Sequence, residues 1–365
     1  MTTSSWTPCI YHGSTEATES FISEYFSDHQ RRCLIVAGAG FDPRSIKICK
    51  SLRTILENRI NGVFIREERP NPDQQLLALA NSNEQALISF VDHGQILRIE
   101  VFAADGAVIG GRNIINQLTG IEFQEYTDIV VDLSAMSVGV SFPLVKYLRE
   151  RVLSGAVKAN LHLMVVGNPS VDLNIIPEPC DRVSHVRGFD GGAGTAETKK
   201  KARLWLPQLA FRKNSVLNQM RLHDLVSPND ICPILPFPSA NPKTGDHLVE
   251  EFIFELLTSW DMDVTNLIFA DESNPLDLYR TVLDIDDRRT KIFEELGGSL
   301  QILSPEGTRL LSIGALMAAL DRNLPVVYVE SISYTFANSG NAGTGTDQAS
   351  LVHVWLEGEA YPPRQ

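Results

Sequence analysis

Cys33–Gly38 (CLIVAG) is an unbroken apolar run, and largely apolar runs of buried-strand type follow at Asp128–Leu133 (DIVVDL) and Leu161–Gly167 (LHLMVVG). A strand that is apolar on both faces has to be covered on both, as in a parallel sheet held between helices. Gly62–Arg66 (GVFIR) supplies another such strand, and Ile96–Phe102 (ILRIEVF) alternates apolar and polar as a less buried one does. Helices fall between them: one opening at Pro43 and continuing through Ile46, Ile48, Leu52, Ile55 and Leu56, one reached through the loop that begins at Pro70, and one over Phe142–Val152. Pro fits the first turn of a helix, where its missing N–H costs nothing. The βα alternation specifies a doubly wound α/β architecture.

The alternation pauses over residues 168–202, which hold prolines, four close glycines between Gly188 and Gly194, and the Lys199–Lys201 cluster. That composition marks a connecting segment, with Gly191–Gly194 as a mobile stretch, either a solvated loop or a gate over a site. Strand-like runs then resume at Arg203–Ala210, Ile231–Pro236, Asn266–Ala270, Ser299–Leu303 and Pro325–Glu330. Helices are expected over His247–Trp260, Asn274–Leu296 and Arg309–Asp321, a flexible stretch at Gly340–Gly345, and a final edge strand at Leu351–Leu356. Length points the same way, since 365 residues correspond to about two domains. The expected organisation is an N-terminal extension (1–30) with a short helix at Thr18–Asp28, a Rossmann-like half (31–167), the connection (168–202) and a second Rossmann-like half (203–365). An internal echo accompanies it: CLIVAGAGFDPRSIKI parallels LQILSPEGTRLLSIGAL, and DIVVDLSAM parallels NLIFADESN. Two related halves would explain the echo, and so would chance among many βα units.

Charge and composition exclude several classes. With 32 Lys+Arg against 45 Asp+Glu the net charge is −13, which opposes non-specific binding to nucleic acid or to anionic membranes. No apolar run approaches the ~20 residues of a membrane span, and the polar N-terminus lacks a secretory plan. The five cysteines, with no CxxC spacing, suit a reducing compartment, with Cys33 and Cys49 as core residues; a cytoplasmic protein is expected. The eight histidines form no HExxH or paired metal spacing, so no metal site is expected, and no GxSxG elbow occurs. His162, inside an apolar strand, reads as a satisfied core residue.

In a parallel α/β sheet ligands collect at the carboxyl ends of the strands, where loops open a crevice and helix N-termini bring positive partial charge. Gly38-Ala39-Gly40-Phe41-Asp42-Pro43-Arg44 falls there. Gly38 and Gly40 would let the backbone approach a ligand, and Arg44 can pair with a phosphate or carboxylate. Asp42 is a candidate general base or ribose acceptor, or else the cap of the next helix with a structural Asp–Arg pair. The loop is neither GxGxxG nor a P-loop. Ser304-Pro305-Glu306-Gly307-Thr308-Arg309, with Ser312 one turn on, offers hydroxyls, a glycine and an Arg at a helix start, which can cradle an anion. Asp132 and Ser134 in one half, and Asp271 with Glu272 and Ser273 in the other, can hold ribose hydroxyls or cap helices. Asp42 and Asp132 are the candidate acid/base residues.

The stretch LQILSPEGTRLLSIGALMAALDRNLPVVYVES, with Gly307-Thr308-Arg309, Gly314, Ala315 and Val327-Tyr328-Val329, resembles the closing part of the CRISPR-associated Rossmann-fold (CARF) sensor domains. Those domains usually carry Asp/Asn-Thr/Ser-Gly where this chain has Ser304-Pro305. The resemblance implies binding of a cyclic oligonucleotide second messenger and a place in bacterial antiviral defence. The expectation is therefore two Rossmann-like halves holding a small phosphorylated or nucleotide ligand in a cleft between them. Gly38, Gly40 and Arg44 would reach it from one side, and Gly307, Thr308, Arg309 and Ser312 from the other. A separate effector protein or a second copy of the chain would read the signal. An enzyme acting on a nucleotide or phosphorylated metabolite, and a non-catalytic scaffold, are the alternatives.

Overall fold

The computed structural model describes residues 4–192, 200–222, 226–337 and 349–361. Ala193, Gly194, Lys199 and Gly340–Gly345 lie outside them. The chain forms two units, one comprising Trp6–Glu178 and the segment from Ile332 onward, the other Met1–Ser5 and Pro179–Ser331.

The first of these is built on a seven-stranded sheet. Cys33–Gly38 lies centrally, with Ile60–Glu68 and then Gly94–Glu100 on one side, and Asp128–Asp132 and then Asn160–Gly167 on the other, all parallel. Ser350–Glu357 adds antiparallel to Asn160–Gly167, and Tyr11–His12 adds antiparallel to that. The three inner runs read as doubly buried strands are buried along their whole length, while Gly94–Glu100 at the edge alternates. Helices Lys47–Leu56, Gln74–Ser89, Gly110–Leu118 and Val138–Leu153 connect the parallel strands. Cys33 and Cys49 are free thiols in the core beside Ile35, Leu52 and Phe64.

Three segments differ from the sequence reading. The N-terminal stretch is no extension: helix Thr15–Tyr25 starts at the Ser14 cap, and Ile22 and Phe26 enter the core. The run Leu351–Leu356, expected to close the second half as an edge strand, is interior to the first sheet. Apolar but for His353, it has the character of a strand covered on both faces, as its burial shows. Residues 168–202 are not one loop, since Pro169–Asn174 is helical and Ile175–His185 is a strand pairing with Val327–Phe336. Pro177 and Pro179 disguised it, and prolines are tolerated in strands at an edge.

In the other unit, Ala202–Pro207 pairs in parallel with Ser299–Ser304, and Ile234–Pro236 with Ile268–Ala270. Single parallel bridges, Trp205 to Ile231, Gln208 to Ile234 and Leu303 to Val326, join these pairs to each other and to the strand Val327–Phe336. By position in the chain, the five strands lie in the order third, second, first, fourth, fifth. The five parallel strands of the first sheet have the same order. The two units therefore share a topology, but it matches other segments than the echo does. Cys33–Gly38 corresponds to Ala202–Pro207, and Asp128–Asp132 to Ser299–Ser304. The echo set a first strand beside a fourth and a fourth beside a third.

Helices Pro275–Ile292 and Arg309–Arg322 flank this sheet. At Gly314 an added Cβ would collide with the Pro275 carbonyl oxygen, so the small residue permits close helix packing. Asn323, in the left-handed region at φ 51°, ends the second of these helices. No described helix is long and apolar enough to cross a membrane.

Candidate functional site

In a doubly wound sheet the crevice opens where two neighbouring strands send their chains to opposite sides. In the first unit those strands are Cys33–Gly38 and Asp128–Asp132, which lie in register with Ala37 opposite Asp132. The loops that follow, Gly38–Arg44 and Leu133–Ser137, meet there. A Cβ on Gly38 would sit 2.7 Å from the Ala135 carbonyl oxygen and 2.9 Å from Met136 Cγ, so this glycine serves the contact between the two loops. Among the described residues Gly40 has only the Ala135 oxygen near its Cβ position, at 3.8 Å, and it is half-exposed together with Phe41, Ala135 and Ser137.

Asp42 and Arg44 form the floor of the first loop. Asp42 Oδ1 accepts the Arg44 backbone N–H at 2.9 Å, so Asp42 makes a tight turn, and the helix begins later, at Lys47. Asn83 Nδ2 donates to the carbonyls of Gly40 and Asp42 and holds the loop from outside. The Arg44 side chain, 1% exposed, donates from Nε and Nη2 to the Asp42 carboxylate and from Nη1 to Asp172. Two carboxylates occupy its fork, which is the structural Asp–Arg pair, with Asp172 added from another helix.

Asp132 ends the second strand at 1% exposure. Its Oδ1 accepts the Ser134 N–H at 2.8 Å, whereas Oδ2 is buried with no hydrogen-bond partner among the described residues. Burial, with the nearby Asp42 charge adding to it, pushes this carboxyl up to about 7 against the opposing pull of Ser134 and Arg44. Two hydroxyls share the condition of Oδ2: Ser45 Oγ, on the turn after Arg44, and Ser137 Oγ, at the cap of helix Val138–Leu153. Ser137 donates its N–H to Glu67 at 2.8 Å, and its side chain does not cap the helix. Ser134 also serves the fold: its Oγ accepts the Val166 N–H at 2.9 Å and ties the loop to the next strand.

In the second unit the corresponding edge lies between Ala202–Pro207 and Ser299–Ser304, and the Ser304–Arg309 loop leaves from it. Ser304 is fully buried and accepts the Trp205 indole N–H at 2.9 Å. The Gly307 N–H donates to Gln208 Oε1 at 3.3 Å. Thr308 caps its helix through the Leu311 N–H, and Ser312 Oγ turns back to the Thr308 carbonyl at 3.0 Å. Arg309, the first helical residue, is half-buried. Asp271, placed by sequence beside a ligand, folds Ser273 into a turn through its N–H and hydroxyl. The hydroxyls of this loop thus serve the protein's own backbone and core.

The structure brings Gly38, Gly40, Asp42, Arg44, Asp132 and Ser134 to one edge of the first sheet, and Ser304, Gly307, Thr308, Arg309 and Ser312 to the equivalent edge of the second. Ser45, Ser137 and Asp172 escaped the sequence reading. Serines near helix starts are too common to stand out, and the pairing of Asp172 with Arg44 spans 128 residues. Among the described residues, no group of three or more His, Cys, Asp or Glu is placed to hold a metal ion.

No protein-family model and no curated protein matches the chain. Among solved structures, it is similar to the cytoplasmic domain of a prokaryotic cation chloride cotransporter, at 11% identity and a TM-score of 0.23, covering 83% of this chain and 96% of that one. It is also similar to a putative universal stress protein from Pseudomonas aeruginosa UCBPP-PA14, at 10% identity and a TM-score of 0.24, covering 85% of this chain and 96% of that one.

Proposed function

We propose that this chain binds a small polar ligand, a nucleotide or nucleotide-derived molecule, at the carboxyl edge of its first sheet and acts as a sensor. The observation that carries this reading is the group of buried hydrogen-bonding atoms without a partner among the described residues, Asp132 Oδ2, Ser45 Oγ and Ser137 Oγ, on the loops of one switch point. Burying such atoms unpaired costs roughly 1–3 kcal/mol each, a cost that a ligand hydroxyl, amide or ring nitrogen can relieve. In this reading Gly40 and Ser137 line the approach, Asp132 fixes orientation, and Arg44 acts indirectly by holding Asp42. The resemblance of the Ser304–Arg309 region to CRISPR-associated sensor domains supports a cytoplasmic role with a separate effector in bacterial defence. The test is mass spectrometry of small molecules released on denaturing the purified protein, followed by calorimetric titration. A nucleotide that binds the native protein and loses at least about tenfold in affinity in Asp132→Asn fits the proposal. Unchanged affinity in that variant removes Asp132 from the site.

A second reading has its own observation. A carboxyl pushed up to about 7 is poised to take or give a proton near neutrality, the property of a general acid/base. In that case the bound nucleotide is converted, and Asp132→Asn retains binding while turnover is lost.

A further inference from the structure

His12, His353 and His162 come from neighbouring strands, and their imidazoles form a continuous hydrogen-bonded line to Asp128. His12 Nδ1 lies 2.9 Å from His353 Nδ1, His353 Nε2 lies 3.0 Å from His162 Nδ1, and His162 Nε2 lies 3.1 Å from Asp128 Oδ1. His162 and His353 are fully buried, and His12 is half-exposed. Phe21 stacks on His12 and His353 with centroids 4.7 and 4.2 Å away, which fixes both rings. His12 sits opposite His353 in the ladder, and Trp355 opposite His162. The line thus crosses from Tyr11–His12 through Ser350–Glu357 to Asn160–Gly167, the antiparallel margin of the sheet.

Asp128 sets the direction. Its Oδ1 also accepts from Tyr25 Oη and Asn160 Nδ2, and its Oδ2 accepts from the Thr127 hydroxyl, with Arg31 Nη1 at 3.9 Å. An acceptor of that kind takes the His162 Nε2–H. His162 Nδ1 then accepts from His353 Nε2–H, and His353 Nδ1 accepts from His12 Nδ1–H. One neutral tautomer of each ring satisfies every contact. Each of the two ring-to-ring contacts accommodates one hydrogen. An excess proton can enter at His12 Nε2 and rest on any of the rings, with the tautomers between reversing, and no contact is lost. A second excess proton sets one N–H against another and breaks a ring-to-ring bond.

We propose that Asp128–His162–His353–His12 is a one-proton relay, loaded through His12, that fastens the Tyr11–His12 and Ser350–Glu357 strands to the parallel sheet and releases them when a second proton arrives. The charged and titratable groups that face it are Asp128, Tyr25, Arg31 and Glu359 around His162, with the histidines themselves around His353 and His12. Burial holds all three rings below the ordinary histidine range, and for His12 and His353 the neighbouring histidines add to that lowering. The unfolded chain therefore takes up protons first as pH falls. The strands' stability is complete above the ordinary histidine range and declines below it.

Imidazole nitrogen NMR and amide hydrogen exchange test this on the intact chain. At pH 8 the expected tautomers are Nδ1–H for His12 and Nε2–H for His353 and His162; any other arrangement overturns the relay. Between pH 7 and pH 5, after correction for intrinsic rates, the amides of Val352 and Val354 should lose at least about tenfold in protection relative to those of Val36 and Val131. His353→Gln keeps one donor and one acceptor without a titratable ring, and its Val352 and Val354 amides should lose clearly less protection than those of wild type, the remainder coming from His162 and His12. A wild-type loss absent, or equal in His353→Gln, overturns the release. If His353→Gln does not fold, the wild-type tautomers and exchange profile decide alone.

Discussion

Arg44 closes around Asp42 with two donors, Nε 2.9 Å from Oδ1 and Nη2 2.7 Å from Oδ2, and sends Nη1 to Asp172 at 2.8 Å. The residue that sequence nominated to hold a ligand's anion already holds two of the protein's own. Removing it leaves the buried Asp42 carboxylate unpaired, a change that typically costs about 3–5 kcal/mol. Arg44→Ala should therefore unfold at markedly lower denaturant than wild type, and the double variant Asp42→Leu/Arg44→Met should recover much of the loss. Urea titration of the three proteins checks this. An Arg44→Ala midpoint equal to wild type would show that the pair contributes nothing.

Asp132 should make stability fall as pH rises. Burial raises its folded-state value to about 7, above that of an unfolded aspartate, so the folded state keeps the proton that the unfolded state releases. The advantage of the protonated form is complete at low pH and is lost through neutrality. Above pH 8, Asp132→Asn should be more stable than wild type, by on the order of 3–4 kcal/mol. Below pH 4 the two should converge. Melting curves across pH read the difference directly, and a gap that does not change with pH would rule out the buried carboxyl as its source.

Gly38→Ala tests the meeting of the two switch-point loops. The new methyl would lie 2.7 Å from a backbone oxygen that cannot rotate away, and such overpacking costs roughly 1–3 kcal/mol. Gly40→Ala, whose Cβ meets the same oxygen at 3.8 Å, should be close to neutral in stability. Thermal melts of the pair give the comparison, and equal losses would contradict the geometry.

Ser304→Ala should act on the core of the second unit. It strips the Trp205 indole N–H of its buried acceptor, a loss of about 1–3 kcal/mol. Tryptophan fluorescence during unfolding measures the stability, although Trp205 is one of four tryptophans that contribute to the signal. A variant as stable as wild type would mean the indole finds another acceptor.

The α/β class and most buried strands were legible because they depend on local pattern. CLIVAG, DIVVDL and LHLMVVG have the length and apolar content of strands covered on both faces, and the Ser304–Arg309 helix start follows from Thr308 before an apolar run. LVHVWL carried the same signal of double burial but was assigned to the nearer half, because sequence shows what a strand needs and not which sheet supplies it. Ile175–His185 was hidden by its prolines, whose acceptability depends on standing at a sheet edge.

Of the candidate site, sequence determined the residue types at the strand ends and little about their use. Glycine, aspartate, serine and arginine at a carboxyl edge suit a ligand and suit loop closure equally well, since the chemistry is the same. Tertiary structure decided between them by distance. It gave Arg44 to Asp42 and Asp172, Ser304 to Trp205, and Ser134 to Val166, and left Asp132 Oδ2 without a partner among the described residues. Hydrogen bonds and desolvation depend on groups far apart in the chain, as in His162 and His353 at a sequence separation of 191, and only folding brings those groups together.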